Sequence, residues 1–582
     1  MKKRKTARLK INEAGDVFRC DPRISSRVQK EEPILKHMNV KLFFLLGICL
    51  ILLGLGVNAQ DTTMRKTINI TSTFKPVLRD AVKINFNATP PFADTSRPRL
   101  SYDIPSQYLF LGYQPVALNP VALQVDSLLQ WKNDNYIKVG VGNVHLPYVK
   151  AGFSFGNGKT TFFNAFADGY ASKGSLPYQK DNYTAVGLAG TIKTKSNLEW
   201  DGRLGFKSSG YYLYGYQPDT LKFDKTDLQQ RFQTFDGSLA LHNLIPTEFG
   251  LTYNPNLHVA VFNDNHSVKE SEANTVLNLP LQKTIGKKFA FDLGFTADLT
   301  NLRLNNNSIQ NNNLYYVSPA LIYKSSNLLL QGEVTPSWDN KYFHLLPNFT
   351  ADISTKDQRL TFQAGWIGYY EKGSYQRYAS INPWLAQPDS LQNTRVQEFY
   401  GGIKGSLSNH VSYSVKAGIA EYWNMPLFVN DTVDGKTFLI RYDHLQAFKM
   451  HGEIVYTQGE EFSAKAALTI SQYATPLHED KAWGLIPLDF TTTLRWQVYK
   501  DLWLKGDLLI FQGAPYPDKF GSVHNPAGGF DLNAGIEFRV TRQLNLWLQM
   551  NNIFNDKYER WNQYQVYGFN ILGGIIFSFN QN

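Results

Sequence analysis

The stretch Phe289-Ala-Phe-Asp-Leu-Gly-Phe-Thr-Ala-Asp-Leu-Thr300 sets the strongest limit on what this chain can fold into. In an extended strand, Phe289, Phe291, Leu293, Phe295, Ala297 and Leu299 share one face. Ala290, Asp292, Gly294, Thr296, Asp298 and Thr300 share the other, because successive strand side chains point to opposite sides. The pattern recurs in Phe530–Thr541 and in Phe462–Ser471, and in all three segments every charge lies on one face. From about Asn133 onward such segments follow one another, separated by turn residues. The fold class is therefore all-β.

Alternation serves a soluble sandwich as well as a membrane wall. Three features select the wall. Tight turns such as Gly156-Asn-Gly-Lys159 and Lys324-Ser-Ser-Asn327 occur with longer polar excursions such as Asn305–Asn313 and Gly373–Thr394, the short-turn and long-loop arrangement of an outer-membrane barrel. Aromatics gather at Tyr211-Tyr212-Leu-Tyr214-Gly-Tyr216, at Tyr369-Tyr370 and at Tyr558, Trp561, Tyr564 and Tyr567, where an interfacial girdle is expected. No long amphipathic helix is available to cover a soluble sheet. Composition agrees: aromatics are 14% and charged residues 19%, against roughly 25% charged in soluble domains. A mean hydropathy of −0.31 argues against a bundle of membrane helices but suits strands that are apolar on one side. Counting alternating segments gives about 22 strands, each of roughly 10 membrane residues plus its connection. We expect a large transmembrane antiparallel β-barrel over residues 132–582, with inward-facing Asp292, Asp298, Lys465, Glu537 and Arg539 lining its lumen.

The net charge of +10 suggests a nucleic-acid binder until its distribution is seen. Residues 1–59 hold 12 Lys/Arg against 5 Asp/Glu, so most of the excess lies there. No nucleic-acid partner is expected. Within that region, residues 38–59 have a short basic start, an apolar run and a small residue, Ala59, before Gln60. These are the parts of a signal peptide. Residues 1–37 are unusually long and polar for a leader, so translation is expected to begin at Met38. The two cysteines, Cys20 and Cys49, both precede the expected cut, leaving no disulfide in the exported chain. Residues 60–131 carry Pro76, Pro90, Pro91, Pro98, Pro105, Pro115 and Pro120, a spacing that excludes central strands and long helices. We read them as a short proline-rich strap in the periplasm or the lumen.

The chain finishes on Gly568-Phe-Asn-Ile-Leu-Gly-Gly-Ile-Ile-Phe-Ser-Phe-Asn-Gln-Asn582. Phe569, Ile571, Gly573, Ile575, Phe577 and Phe579 fall on one face, and only Leu572 and Ile576 break the polarity of the other. Closing a barrel removes sheet edges, as lipid demands, so this strand is expected to face lipid and to pair with the first. Together with Asn552-Ile-Phe-Asn-Asp-Lys-Tyr-Glu559 upstream, it resembles the C-terminal end of TonB-dependent receptors. The resemblance implies a barrel of 22 strands in the outer membrane of a Gram-negative bacterium, inserted by the barrel-assembly machinery. It departs from the family at the other end, where residues 60–131 are too few for a complete plug.

The motifs that resemble catalytic or metal sites fail on spacing or context. Gly152-Phe-Ser154-Phe-Gly156 matches the nucleophile-elbow pattern, but that elbow joins a strand to a helix and this one runs into a turn. His444 and His451, seven apart, fall on opposite strand faces. Asn430, Asp431, Asp434 and Gly435 resemble a calcium loop, but Arg441 stands where the bidentate glutamate is required. Asp434-Gly435 reads instead as a hairpin turn. No enzyme activity, metal or cofactor is expected. Tyr375, Tyr378 and Trp384, in a long loop, are candidates for stacking on a sugar or peptide, with loop packing the competing use. The functional expectation is a transporter or channel for hydrophilic solutes. The alternative is a non-transporting docking barrel whose strap recruits a periplasmic partner or a surface lipoprotein.

Overall fold

The computed structural model describes residues 133–581, apart from 219, 267, 268, 519 and 520. The expected extension, leader and proline-rich strap lie outside the described residues. Twenty-two strands, from Asn133–Gly142 to Asn570–Gln581, each pair antiparallel with the next. The first also pairs with the last over the register Asn133↔Gln581 to Gly142↔Leu572, which closes the barrel. A further three-residue strand, Leu251–Tyr253, pairs onto an extension of Lys269–Ile285.

Connections sort by end. One mouth carries turns such as 157–160, 286–288, 325–327, 459–461 and 500–501, with 244–255 as its long exception. The other carries 213–228, 372–393, 474–487, 512–528 and 552–569. Both strands of the closing seam have their outer ends, Asn133 and Gln581, at the short-turn mouth. Residues 309–313, counted above in a polar excursion, belong instead to the strand Ile309–Lys324, leaving a loop of 304–308. Their alternate side chains are polar because they face the interior: Asn312 is buried.

The wall is apolar outside and polar inside. Leu204, Phe235, Phe291, Phe349, Trp366 and Phe399 are exposed on the outer face. Lysine–carboxylate pairs tie strands together on the inner face: Lys416–Glu398 at 2.9 Å and Lys465–Glu453 at 2.8 Å join neighbours, and Lys404–Asp352 at 2.8 Å reaches across the intervening strand Leu360–Glu371. A soluble protein would not present so large an apolar belt to water. Lipid is the solvent this outer face fits.

The seam accounts for the imperfect alternation of the last strand. Ile571, Ile575 and Phe577 are exposed outside, whereas Leu572 and Ile576 turn inward and pack with Tyr148, Tyr170 and Trp547. The close approach requires glycine. A Cβ on Gly140 would stand 2.4 Å from the Trp547 ring, and one on Gly574 only 1.9 Å from the Val139 carbonyl oxygen.

One expectation needs correction. The tyrosines near the long-loop mouth do not form a lipid-facing girdle. Tyr211, Tyr558, Trp561, Tyr564 and Tyr567 are buried among the loops, because a long loop that folds back over the mouth offers these rings a protein surface to pack on.

Candidate functional site: the loop-covered mouth

Loop 372–393 is the keystone of the long-loop mouth. Ser374 has extended backbone (φ −143°, ψ 137°) and its hydroxyl accepts from the Arg377 amide at 3.3 Å, capping the helix Tyr375–Ile381. The helix start is held from the barrel wall. Glu272, on the strand Lys269–Ile285, accepts from the Ser374 hydroxyl at 2.6 Å and from the Tyr375 amide at 2.5 Å. Asp264, at the end of Asn256–Asn265, accepts from the Tyr375 hydroxyl at 2.7 Å and from Gln387 at 3.0 Å. Lys372 reaches Asp298 at 3.1 Å, Asn312 donates to the Gly373 carbonyl at 2.9 Å, and Arg377 pairs with Glu371. Bonds with an ionised partner are among the stronger ones, and several of these are shielded from water.

Apolar packing completes the cover. Tyr211, Phe232, Phe262 and Leu302 from the wall meet Tyr375, Tyr378 and Trp384 from the loop, and Phe428, Phe438, Trp561 and Tyr564 from the far side. Trp384 stacks on Tyr564 with ring centroids 3.9 Å apart and planes 23° from parallel. The Tyr378 hydroxyl donates to the Gln392 carbonyl at 3.1 Å. The structure therefore places all three loop candidates inside the cover, with Tyr375 and Tyr378 fully buried.

The lumen candidates face inward. Asp292 lies on the face opposite exposed Phe291 and Leu293. Asp298 holds Lys372 and Asn274, the latter at 2.7 Å. Glu537 accepts from Asn545 at 2.7 Å and pairs with Lys505 at 3.5 Å. Arg539 lies near the short-turn mouth, 3.9 Å from Asp501 and over the Trp503 ring. Asp264 and Glu272, which hold the cover down, were not singled out from the sequence. The available signal was a pair of carboxylates at strand ends on the loop side, facing a loop that opens with the capping residue Ser374.

Above these contacts, loops 174–179, 213–228, 431–437, 512–528 and 552–569 enclose a cavity of about 820 Å³. Its described lining includes Tyr214, Tyr216, Tyr516, Asp431, Asp518 and Glu559. Asp434-Gly435 forms a turn there, with Gly435 at φ +72°. Burial raises the Glu559 carboxyl above its ordinary value, while the Gln563 amide, donating at 2.8 Å, opposes the shift. Burial lowers the neighbouring Arg560 guanidinium to about 10. Arg560 donates to the Gly484 carbonyl at 3.1 Å.

Other constellations are less suited to chemistry. Ser154 is buried in the strand His145–Gly156, its amide bonded to Asn135 at 2.8 Å. His444 contacts Glu421 at 2.9 Å and His451 contacts Thr469 at 3.1 Å. Among the described residues, one group has the composition of a metal site: Glu199, Asp201 and His242, on the inner wall. There His242 lies between the two carboxylates at 3.4 and 3.6 Å, and Lys193 also reaches Glu199 at 3.6 Å.

No family model matches the chain, and no curated protein matches it in sequence. Solved structures do match in fold. The iron transporter FrpB of Neisseria meningitidis superposes with a TM-score of 0.60 at 11% identity, over 78% of this chain and 82% of that one. A mutant of the ferric enterobactin receptor of Pseudomonas aeruginosa, solved with enterobactin, gives 0.60 at 10% identity, over 77% and 81%. The ferripyoverdine receptor of the outer membrane of the same bacterium gives 0.57 at 10% identity, over 77% and 72%. At such identities the likeness speaks for architecture alone, and that architecture is a closed 22-strand β-barrel of TonB-dependent-receptor type.

Proposed function

We propose that the protein is an outer-membrane transporter that admits hydrophilic solutes through a loop-covered barrel. The observation that carries this reading is the pairing of an apolar outer wall with a charged inner wall, closed over one mouth by polar latches from Asp264, Glu272 and Asp298. A wide barrel with a polar interior supports a water-filled path. A cover held by hydrogen bonds and ion pairs supports a path that opens and closes. The iron and siderophore receptors of the same fold fit an uptake role, without assigning their ligands to this chain.

The test is ion conductance of the detergent-folded mature chain in a planar bilayer, beside a Glu272→Gln, Asp264→Asn double variant that weakens the latches. Longer or larger openings in the variant are expected. Two folded proteins that both stay silent would overturn the transport reading.

A further inference from the structure

We infer that the loop pocket binds an organic cation, a solute carrying amine or guanidinium groups, held among carboxylates and tyrosine rings. The inference names a ligand class for the transporter proposed above, and it rests on that reading only for what happens after capture.

The pocket's described lining is rich in carboxylates and aromatic rings. Asp431, Asp434, Asp518 and Glu559 line it, and no lysine or arginine appears among its described lining residues. Lys436, next in the chain to lining residue Gly435, is already engaged: its Nζ lies 2.8 Å from Asp434 and over the Phe223 ring at 4.6 Å. Several acceptors remain available to a ligand. Glu559 uses Oε2 for the Gln563 amide at 2.8 Å and Asp431 uses Oδ1 for the Val433 amide at 3.2 Å, so each retains a second carboxylate oxygen. Gln563 Oε1 is buried without a hydrogen-bond partner among the described residues. An unsatisfied buried acceptor is costly and is relieved by an incoming N–H or O–H.

A ligand that supplies donors and positive charge meets both needs. It would bring positive charge to Asp431 and Glu559, whereas Asp434 and Asp518 already have Lys436 and His524 at 2.8 and 3.1 Å, and its charge would be attracted by the faces of Tyr214, Tyr216 or Tyr516. The same surface disfavours an anion, to which the described lining offers no lysine or arginine and a single histidine, His524, already 3.1 Å from Asp518. Size sets a further bound: about 820 Å³ lies within the range of small-molecule sites, so a single amine-bearing molecule or a short basic peptide segment fits better than a folded protein.

The experiment measures binding to the full mature chain in detergent by titration calorimetry, with spermidine and arginine methyl ester as cationic probes and citrate as the anionic one. The expected result is binding of both cations, weakened several-fold by 0.5 M salt and about tenfold by Glu559→Gln or Asp431→Asn, with no citrate binding. Asp357→Asn, at an exposed turn of the opposite mouth, should leave the affinities unchanged. Heat-modifiable migration in gels verifies that each variant is folded. Citrate binding as tightly as spermidine, or spermidine binding indifferent to both pocket substitutions, would overturn the inference. Intact cation binding in a protein that never conducts would sink the transport reading alone.

Discussion

The Tyr375 hydroxyl donates to the Asp264 carboxylate across 2.7 Å, tying the buried helix of loop 372–393 to the end of the strand Asn256–Asn265. Tyr375→Phe removes that donor but keeps the ring, so the loss is one charge-assisted bond worth about 1–3 kcal/mol. Limited proteolysis should cut loop 372–393 faster in the variant while the barrel resists. Equal cleavage rates would show that the bond does not hold the cover.

Trp384→Ala attacks the same cover from its apolar side. The ring is buried and stacked on Tyr564, and deleting a buried tryptophan costs about 3–5 kcal/mol where the site cannot collapse. The cover should loosen more than with Tyr375→Phe, read as faster hydrogen exchange across 372–393 and 552–569. Unchanged exchange in 552–569 would mean that the two loops do not support each other.

The outer wall can be tested by charge. Leu204 is 64% exposed near the middle of Leu198–Tyr212, and arginine at the middle of a lipid-facing strand costs about 2–4 kcal/mol. Leu204→Arg should lower folding yield into vesicles, measured by heat-modifiable migration, whereas Asp292→Asn on the inner face should not. A tolerated Leu204→Arg would mean that lipid does not cover this face.

Closure depends on small residues at the seam. Gly574→Ala places a methyl 1.9 Å from the Val139 carbonyl oxygen, an overlap relieved only by backbone movement and costing about 1–3 kcal/mol or more. The variant should unfold at lower urea concentration than wild type. An unchanged midpoint would show that the seam can yield.

Acidity separates two effects at the pocket. The Glu559 carboxyl is raised by burial, so it takes up its proton at a higher pH than an ordinary carboxylate. Its neutral form favours the folded loop, a contribution fully present below the unfolded value and lost as pH rises through the folded one. Spermidine needs the ionised form, so its affinity should fall with acidification through that raised value. Asp431, Asp434, Asp518, His524 and Tyr516 face the same cavity, and Glu559→Gln isolates the Glu559 share by removing the upper part of the acid limb. An acid limb identical in Glu559→Gln would assign it to those neighbours.

Much of the wall was legible because a strand reports its two environments residue by residue. Phe289 to Leu299 and Phe530 to Val540 fall on the outer face as their alternation indicates. The count of about 22 and the pairing of the last strand with the first both hold in the structure. What local pattern could not carry was contact between distant loops. The Trp384–Tyr564 stack joins residues 180 positions apart, and no periodicity links them. The same blindness made buried tyrosines resemble a membrane girdle, since a ring at a strand end is equally at home against lipid headgroups or a folded-back loop. Leu572 and Ile576 looked like lapses in alternation for a related reason: their partner, Trp547, lies on the neighbouring strand.

The pairing of Asn133–Gly142 with Asn570–Gln581 also orders events in time. These two strands lie more than four hundred residues apart in the chain, and until they meet the sheet keeps two raw edges. A chain lacking Asn570–Gln581 has lost the strand that seals Asn133–Gly142. It is left with an unsealed edge, the kind that recruits other chains.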